Sequence, residues 1–143
     1  VTFNMMGNRF LLDSPCSIQI QVSRKASAEE IAAYQADILA ACEHGVVPVS
    51  PCISPGERQI ARAVLEAAFP LIVLMPRGIP ADMKQKVGYA EYYEACAAGH
   101  LLMLSPWGYQ EKEQELQRWQ CLFLNDLALQ LTLDNNFLSE GTE

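Results

Sequence analysis

At 143 residues the chain falls within the size of one domain, and half of it is hydrophobic with only 19% charged, which excludes a disordered or fibrous class. Ten basic side chains stand against seventeen acidic ones, a net charge of -7. That balance opposes indiscriminate attraction to phosphate backbones or anionic lipid, so binding to nucleic acid requires a local basic patch.

In chain order, residues 17–22 read S-I-Q-I-Q-V, the apolar/polar alternation of a strand with one buried face. Ser27 before Ala28, Glu29 and Glu30 predicts a helix start with a hydroxyl cap and acidic first turn. Ile31, Tyr34, Ile38, Leu39 and Cys42 continue it at helical spacing, and Gly45 stands where it should end. Residues 46–49 form a short strand, and Pro48 within it predicts a sheet edge or a strand end. A Pro- and Ser-rich loop over 50–56 leads into an amphipathic helix over 57–68, with Ile60, Val64, Leu65 and Ala68 on one face. In that loop Ser54 reads as an N-cap, Pro55 as the first helical residue and Glu57 as the partner in a capping box.

The fully apolar run 71–75 predicts a central parallel strand buried on both faces. A turn over 76–79 and a polar loop or short helix over 81–87 follow, then a helix over 89–98 ended by Gly99. Residues 101–104 are a second buried strand. The last helix carries Leu116, Trp119, Leu122, Phe123, Leu127 and Leu131 at spacings of three and four, with a frayed tail over 139–143. The order β-α-β-α-β-α-β-α predicts a Rossmann-like three-layer α/β domain spanning 1–143, with a mostly parallel sheet and helices on both faces.

The five cysteines contain no C-x-x-C pair, so neither a zinc site nor a disulfide framework is predicted, and reduced thiols in the cytoplasm are expected. No signal-peptide pattern opens the sequence, no apolar run is long enough to cross a bilayer, and no cofactor is expected. The sequence holds no G-x-G-x-x-G fingerprint, no P-loop and no G-x-S-x-G elbow.

In open parallel sheets, ligands bind beyond the carboxyl ends of the strands, near the point where strand order reverses. Three arginines, Arg24, Arg58 and Arg77, lie just past predicted strand ends in an otherwise acidic chain, which points to an anionic ligand. The candidate ligand-binding residues are Ser23, Arg24, Ser50, Ser54, Gly56, Glu57, Arg77, Gly78 and Trp107. They combine hydroxyls, close backbone approach, helix-start N–H groups and guanidinium forks, the chemistry that holds phosphate.

Five stretches, M-G-N-R-F-L-L (6–12), S-R (23–24), S-P-x-x-S-P-G-E (50–57), M-P-R-G-I (75–79) and L-S-P-W (104–107), together resemble the DNA-processing protein A (DprA/Smf) family, in particular its small stand-alone bacterial members. That family belongs with the lysine-decarboxylase-like (LOG) enzymes in a superfamily of Rossmann-like domains. The resemblance implies single-stranded DNA binding and recruitment of a recombinase, without enzyme activity. Carried over, the strand-end pair is Ser23 and Arg24, the Ser-Gly loop is Ser50, Ser54, Gly56 and Glu57, and the Gly-containing turn is Arg77-Gly78. The family's S-G-x-A-x-G-I-D loop is here S-P-C-I-S-P-G-E, and the P-G-G-x-x-G-T-x-x-E motif of the LOG enzymes is missing.

The leading expectation is therefore a non-catalytic module for a nucleotide or other phosphorylated ligand at the carboxyl edge of the sheet. Single-stranded DNA binding is the alternative. A nucleoside phosphate hydrolase with Glu57 as general acid/base is the second alternative. The apolar last helix is a candidate homo-oligomer contact.

Overall fold

The computed structural model describes residues 3–110 and 115–133. Five strands form one sheet: β1 (Asn4–Gly7), β2 (Ser17–Gln19), β3 (Val47–Ser50), β4 (Leu71–Leu74) and β5 (Leu101–Ser105), in the order β1-β5-β4-β3-β2. Four α-helices accompany them: α1 (Ala28–Glu43), α2 (Pro55–Glu66), α3 (Ala90–Ala98) and α4 (Arg118–Leu133). Strands β2 to β5 are mutually parallel, and the fold is the expected three-layer α/β arrangement.

Local chemistry sets the elements. Ser27 and Ser54 each accept a bond from the backbone N–H three residues on, and the Glu30 and Glu57 carboxylates accept one from the cap's own N–H, so both helix starts carry reciprocal capping boxes. Every residue of β3, β4 and β5 is buried, which accounts for their unalternating apolar runs. Because β2, β3, β4 and β5 step across the sheet in one direction, right-handed crossovers place α1, α2 and α3 on the same face. There Ile38, Ile60, Val64 and Ala95 pack on Ile20, Leu71, Val73, Leu101 and Met103. On the opposite face Leu124, Leu127, Ala128 and Leu131 of α4 pack on Val49, Ile72, Leu74 and Leu102.

Two expectations are corrected and one is narrowed. A fifth strand, β1, pairs antiparallel with β5 from Asn4↔Ser105 to Gly7↔Leu102, followed by a short 3₁₀ helix, Arg9–Asp13. Gly7, at φ +113, is required there, since a Cβ would stand 2.1 Å from the Leu101 carbonyl oxygen. Of the two places expected for Pro48, an edge or a strand end, the structure has the second, near the start of the interior strand β3. The proline is tolerated because β3 pairs with β4 only from Val49↔Ile72 onward, so the missing N–H falls before that ladder begins. Finally, strand order does not reverse among the parallel strands. What diverges is the connections: β4 leads to α3 on one face and β5 to α4 on the other, which opens a crevice at their carboxyl ends.

Candidate functional site

A cleft of about 840 Å³ lies at these strand ends. Loops after all four parallel strands reach it: Arg24 after β2, Cys52 and Ile53 after β3, Pro76 and Arg77 after β4, and Trp107 and Gln110 after β5. The start of α3 adds Tyr92, with Tyr89 just before it, α2 adds Arg58 and Arg62, and α4 adds Trp119 and Gln120. Four guanidinium groups and four aromatic residues, with the carboxylate of Glu115, therefore line one cavity in a chain of net charge -7.

The loops after β4 and β5 are tied to each other. The Trp107 indole N–H donates to the Pro76 carbonyl, and the Gln110 N–H donates to the Arg77 carbonyl at 2.8 Å. Arg77 returns two bonds, from Nε and Nη2 to the Gln110 carbonyl at 3.2 and 3.0 Å, and its guanidinium lies 5.5 Å from the Tyr109 ring centroid. Gly78 permits this closeness. At φ +85, any Cβ there would stand 2.5 Å from the Tyr109 backbone. At the end of β5, the buried Ser105 hydroxyl donates to the Trp107 carbonyl at 2.7 Å and fixes the turn.

The S-P-C-I-S-P-G-E loop is a different construction. Glu57 is only 3% exposed, and its carboxylate accepts from the N–H groups of Ile53, Ser54 and Val22, each at 3.0 Å. The last of these bonds ties the exit of β2 to the start of α2. Helix α2 thus receives an anion at its N-terminus, but the anion is its own side chain. Gly56 serves packing: a Cβ would stand 2.6 Å from Val22 Cγ1. The Ser50 hydroxyl accepts from the Cys52 N–H at 3.2 Å and donates to the Glu57 carbonyl at 3.4 Å.

Of the nine residues read from the sequence as ligand-binding, Arg24, Arg77 and Trp107 line the cleft together. Ser23, Ser50, Ser54, Gly56, Glu57 and Gly78 do not line it, and all but Ser23 hold the loops that do. Ser23 is exposed and accepts from the Lys25 N–H at 3.1 Å. Arg58, recognised in the sequence as a strand-end arginine, does face the cleft and donates from Nη1 to the Ile53 carbonyl at 2.8 Å. Arg62 was missed, although its i+4 spacing from Arg58 on a helix put it on the same side; it is ion-paired with Glu91 and Glu66. In sequence Tyr89 and Tyr92 suit either helix packing or base stacking, and Trp119 stands on the apolar stripe of the last helix. The rings of Tyr89 and Tyr92 lie 6.2 Å apart, and Trp119 meets Trp107 at 6.1 Å.

Burial shifts the titrating groups here upward. It pushes the Cys52 thiol from 9.0 to about 11, beside the Ser50 hydroxyl and Glu57. It also raises the Tyr92 and Tyr89 phenols, which keeps these rings neutral. Among the described residues no group of His, Cys, Asp or Glu could hold a metal ion, and no helix is long and apolar enough to cross a membrane.

No family model matches this sequence, and no curated protein matches it either. A solved structure of DNA processing protein A from Helicobacter pylori, described for its single-stranded DNA binding mode, superposes with a TM-score of 0.64 at 18% sequence identity. The match covers 91% of this chain and 56% of that one, so the present chain spans little more than half the neighbour's length. At this identity the likeness establishes a shared DprA-like fold.

Proposed function

We propose that this chain binds single-stranded DNA in the strand-end cleft and performs no reaction on it. The observation that carries the proposal is the convergence of Arg24, Arg58, Arg62 and Arg77 with Tyr89, Tyr92, Trp107 and Trp119 on one cavity. Guanidinium forks hold phosphate oxygens, and aromatic faces stack on bases without regard to sequence, the pairing of groups found where proteins hold single strands. Arg24 is exposed and has no hydrogen bond or ion pair among the described residues, so its fork is available to a phosphate. The DNA binding described for the H. pylori neighbour supports the same reading. Glu57, fully engaged by backbone amides, is assigned to the frame of the site rather than to proton transfer.

A second reading, a nucleotide or related phosphorylated small molecule, draws support from the size of the cleft, which falls within the roughly 300–1,000 Å³ usual for small-ligand sites. Fluorescence anisotropy with labelled dT12, competed by dTMP and ATP, separates the two. DNA binding is expected to give saturable anisotropy that millimolar nucleotide displaces poorly and that Arg24→Ala weakens. A flat dT12 titration at low salt, with calorimetric heat from ATP or dTMP, would replace the first reading with the second.

A further inference from the structure

Helix α4 packs one side on the sheet and leaves Trp119, Leu122, Phe123 and Leu129 on the other, with exposures of 61%, 58%, 38% and 40%. Two of these side chains are aromatic, one helical turn apart, and both touch a ring of the cleft. Trp107 meets Trp119 at 6.1 Å in a T-shaped pair and Phe123 at 6.2 Å with tilted planes. Trp107 is itself pinned, because its indole N–H is held by the Pro76 carbonyl and its backbone by Ser105. The result is a stepped aromatic surface that begins inside the arginine-lined cleft and continues outward along α4.

We propose that Trp119 and Phe123 form a base-stacking subsite that carries a single strand out of the cleft, a reading that rests on the DNA-binding proposal above. The occupant is the run of bases whose phosphates the arginines hold. Two features favour it over other partners for an apolar helix face. The rings are continuous with a cavity bearing four guanidinium groups, which complements a polyanion, whereas two copies of a chain of net charge -7 repel each other over the rest of their surfaces. In addition, the two exposed rings are the groups on this face that meet Trp107, with the exposed aliphatic Leu122 between them in the helix and Leu129 farther along it. Trp107 itself is fixed by these hydrogen bonds, so it loses little rotamer freedom on binding.

The test measures dT12 affinity by anisotropy, with tryptophan fluorescence as a second readout, for the unaltered chain and for Trp119→Ala, Phe123→Ala and Trp119→Tyr. Trp119 is largely exposed, so circular dichroism is expected to be unchanged in each variant. Stacking predicts tryptophan quenching on binding, roughly a 10-fold loss of affinity in Trp119→Ala, a smaller loss in Phe123→Ala, and near-complete rescue in Trp119→Tyr. If dT12 binds the unaltered chain and both alanine variants equally well, the subsite is overturned while the arginine cleft stands. If dT12 fails to bind the unaltered chain at all, the DNA reading falls and the subsite with it. A dimer in sedimentation velocity that Trp119→Ala converts to monomer, with DNA affinity unchanged, assigns the face to a second copy and overturns the proposal.

Discussion

Glu57 brings together three segments that are remote in role: the exit of β2, the loop after β3 and the start of α2. Its Oε1 accepts from Ile53 and Ser54 and its Oε2 from Val22, all inside the protein. Glu57→Gln preserves the shape but turns an amide N–H toward at least one of these donors. That leaves a buried N–H without an acceptor and removes a charge-assisted bond, a loss of about 2–3 kcal/mol in urea unfolding. Unchanged stability would contradict the framing role. The S-P-G-E spelling was enough to reveal the capping box, because that motif is local. The bond to Val22 was not legible, since it joins residues 35 apart. The buried thiols give a second residue-scale expectation. Burial takes Cys52 and Cys96 from 9.0 to about 11. The folded chain then keeps thiol protons that the unfolded chain releases, so this contribution to stability is full below about pH 9 and declines as pH rises toward 11. Replacing both cysteines by Ala is expected to flatten the melting temperature over that interval, apart from a constant packing loss.

At the scale of elements, the helix starts test how much capping contributes where the cap is buried. Ser54 is 3% exposed, whereas Ser27 stands at the surface. Ser54→Ala should cost about 1–2 kcal/mol and Ser27→Ala about half as much, because water replaces the hydroxyl only at the exposed cap. Equal losses by chemical denaturation would show that burial adds nothing. The same elements show where sequence reading succeeds and stops. Helices α1 and α2, with their caps and apolar stripes, and the buried runs of β4 and β5 were legible because each is set within a dozen residues. Strand β1 was not, since N-M-M-G becomes a strand only by pairing with β5 nearly a hundred residues later. Pro48 left edge and strand end open for a related reason: the register with β4, which excuses its absent N–H, is a tertiary property. At the site, the strand-end loops carrying Arg24, Arg77 and Trp107 could be anticipated from the parallel-sheet rule. The contribution of α4 could not, because nothing in its own periodicity says which cavity its Trp119 reaches.

For the whole molecule the governing fact is a local excess of positive charge within a global deficit. Residues 3–110 and 115–133 build one sheet with a helical layer on each face, and four of the ten basic side chains converge on its carboxyl edge. The remaining surface, with most of the seventeen carboxylates, repels a polyanion, so the proposed DNA strand would be held only where the arginines and rings act together. Arg62 is already paired with Glu91 and Glu66, so under the DNA-binding proposal it would have to exchange those partners for phosphate and would contribute less than the others. Under the DNA-binding proposal this arrangement sets the expected salt dependence. With three to four phosphates neutralised, the slope of log K against log salt for a single strand is about -2 to -3. Between 50 and 200 mM salt the affinity for dT12 should therefore fall roughly 20- to 50-fold. Arg24→Ala should weaken binding and make the slope shallower by about 0.7, whereas Trp119→Ala should weaken binding without altering it, since stacking releases no counterions. A slope near zero in the unaltered chain would mean that the guanidinium groups hold no phosphate, and the cleft would then have to be explained without DNA.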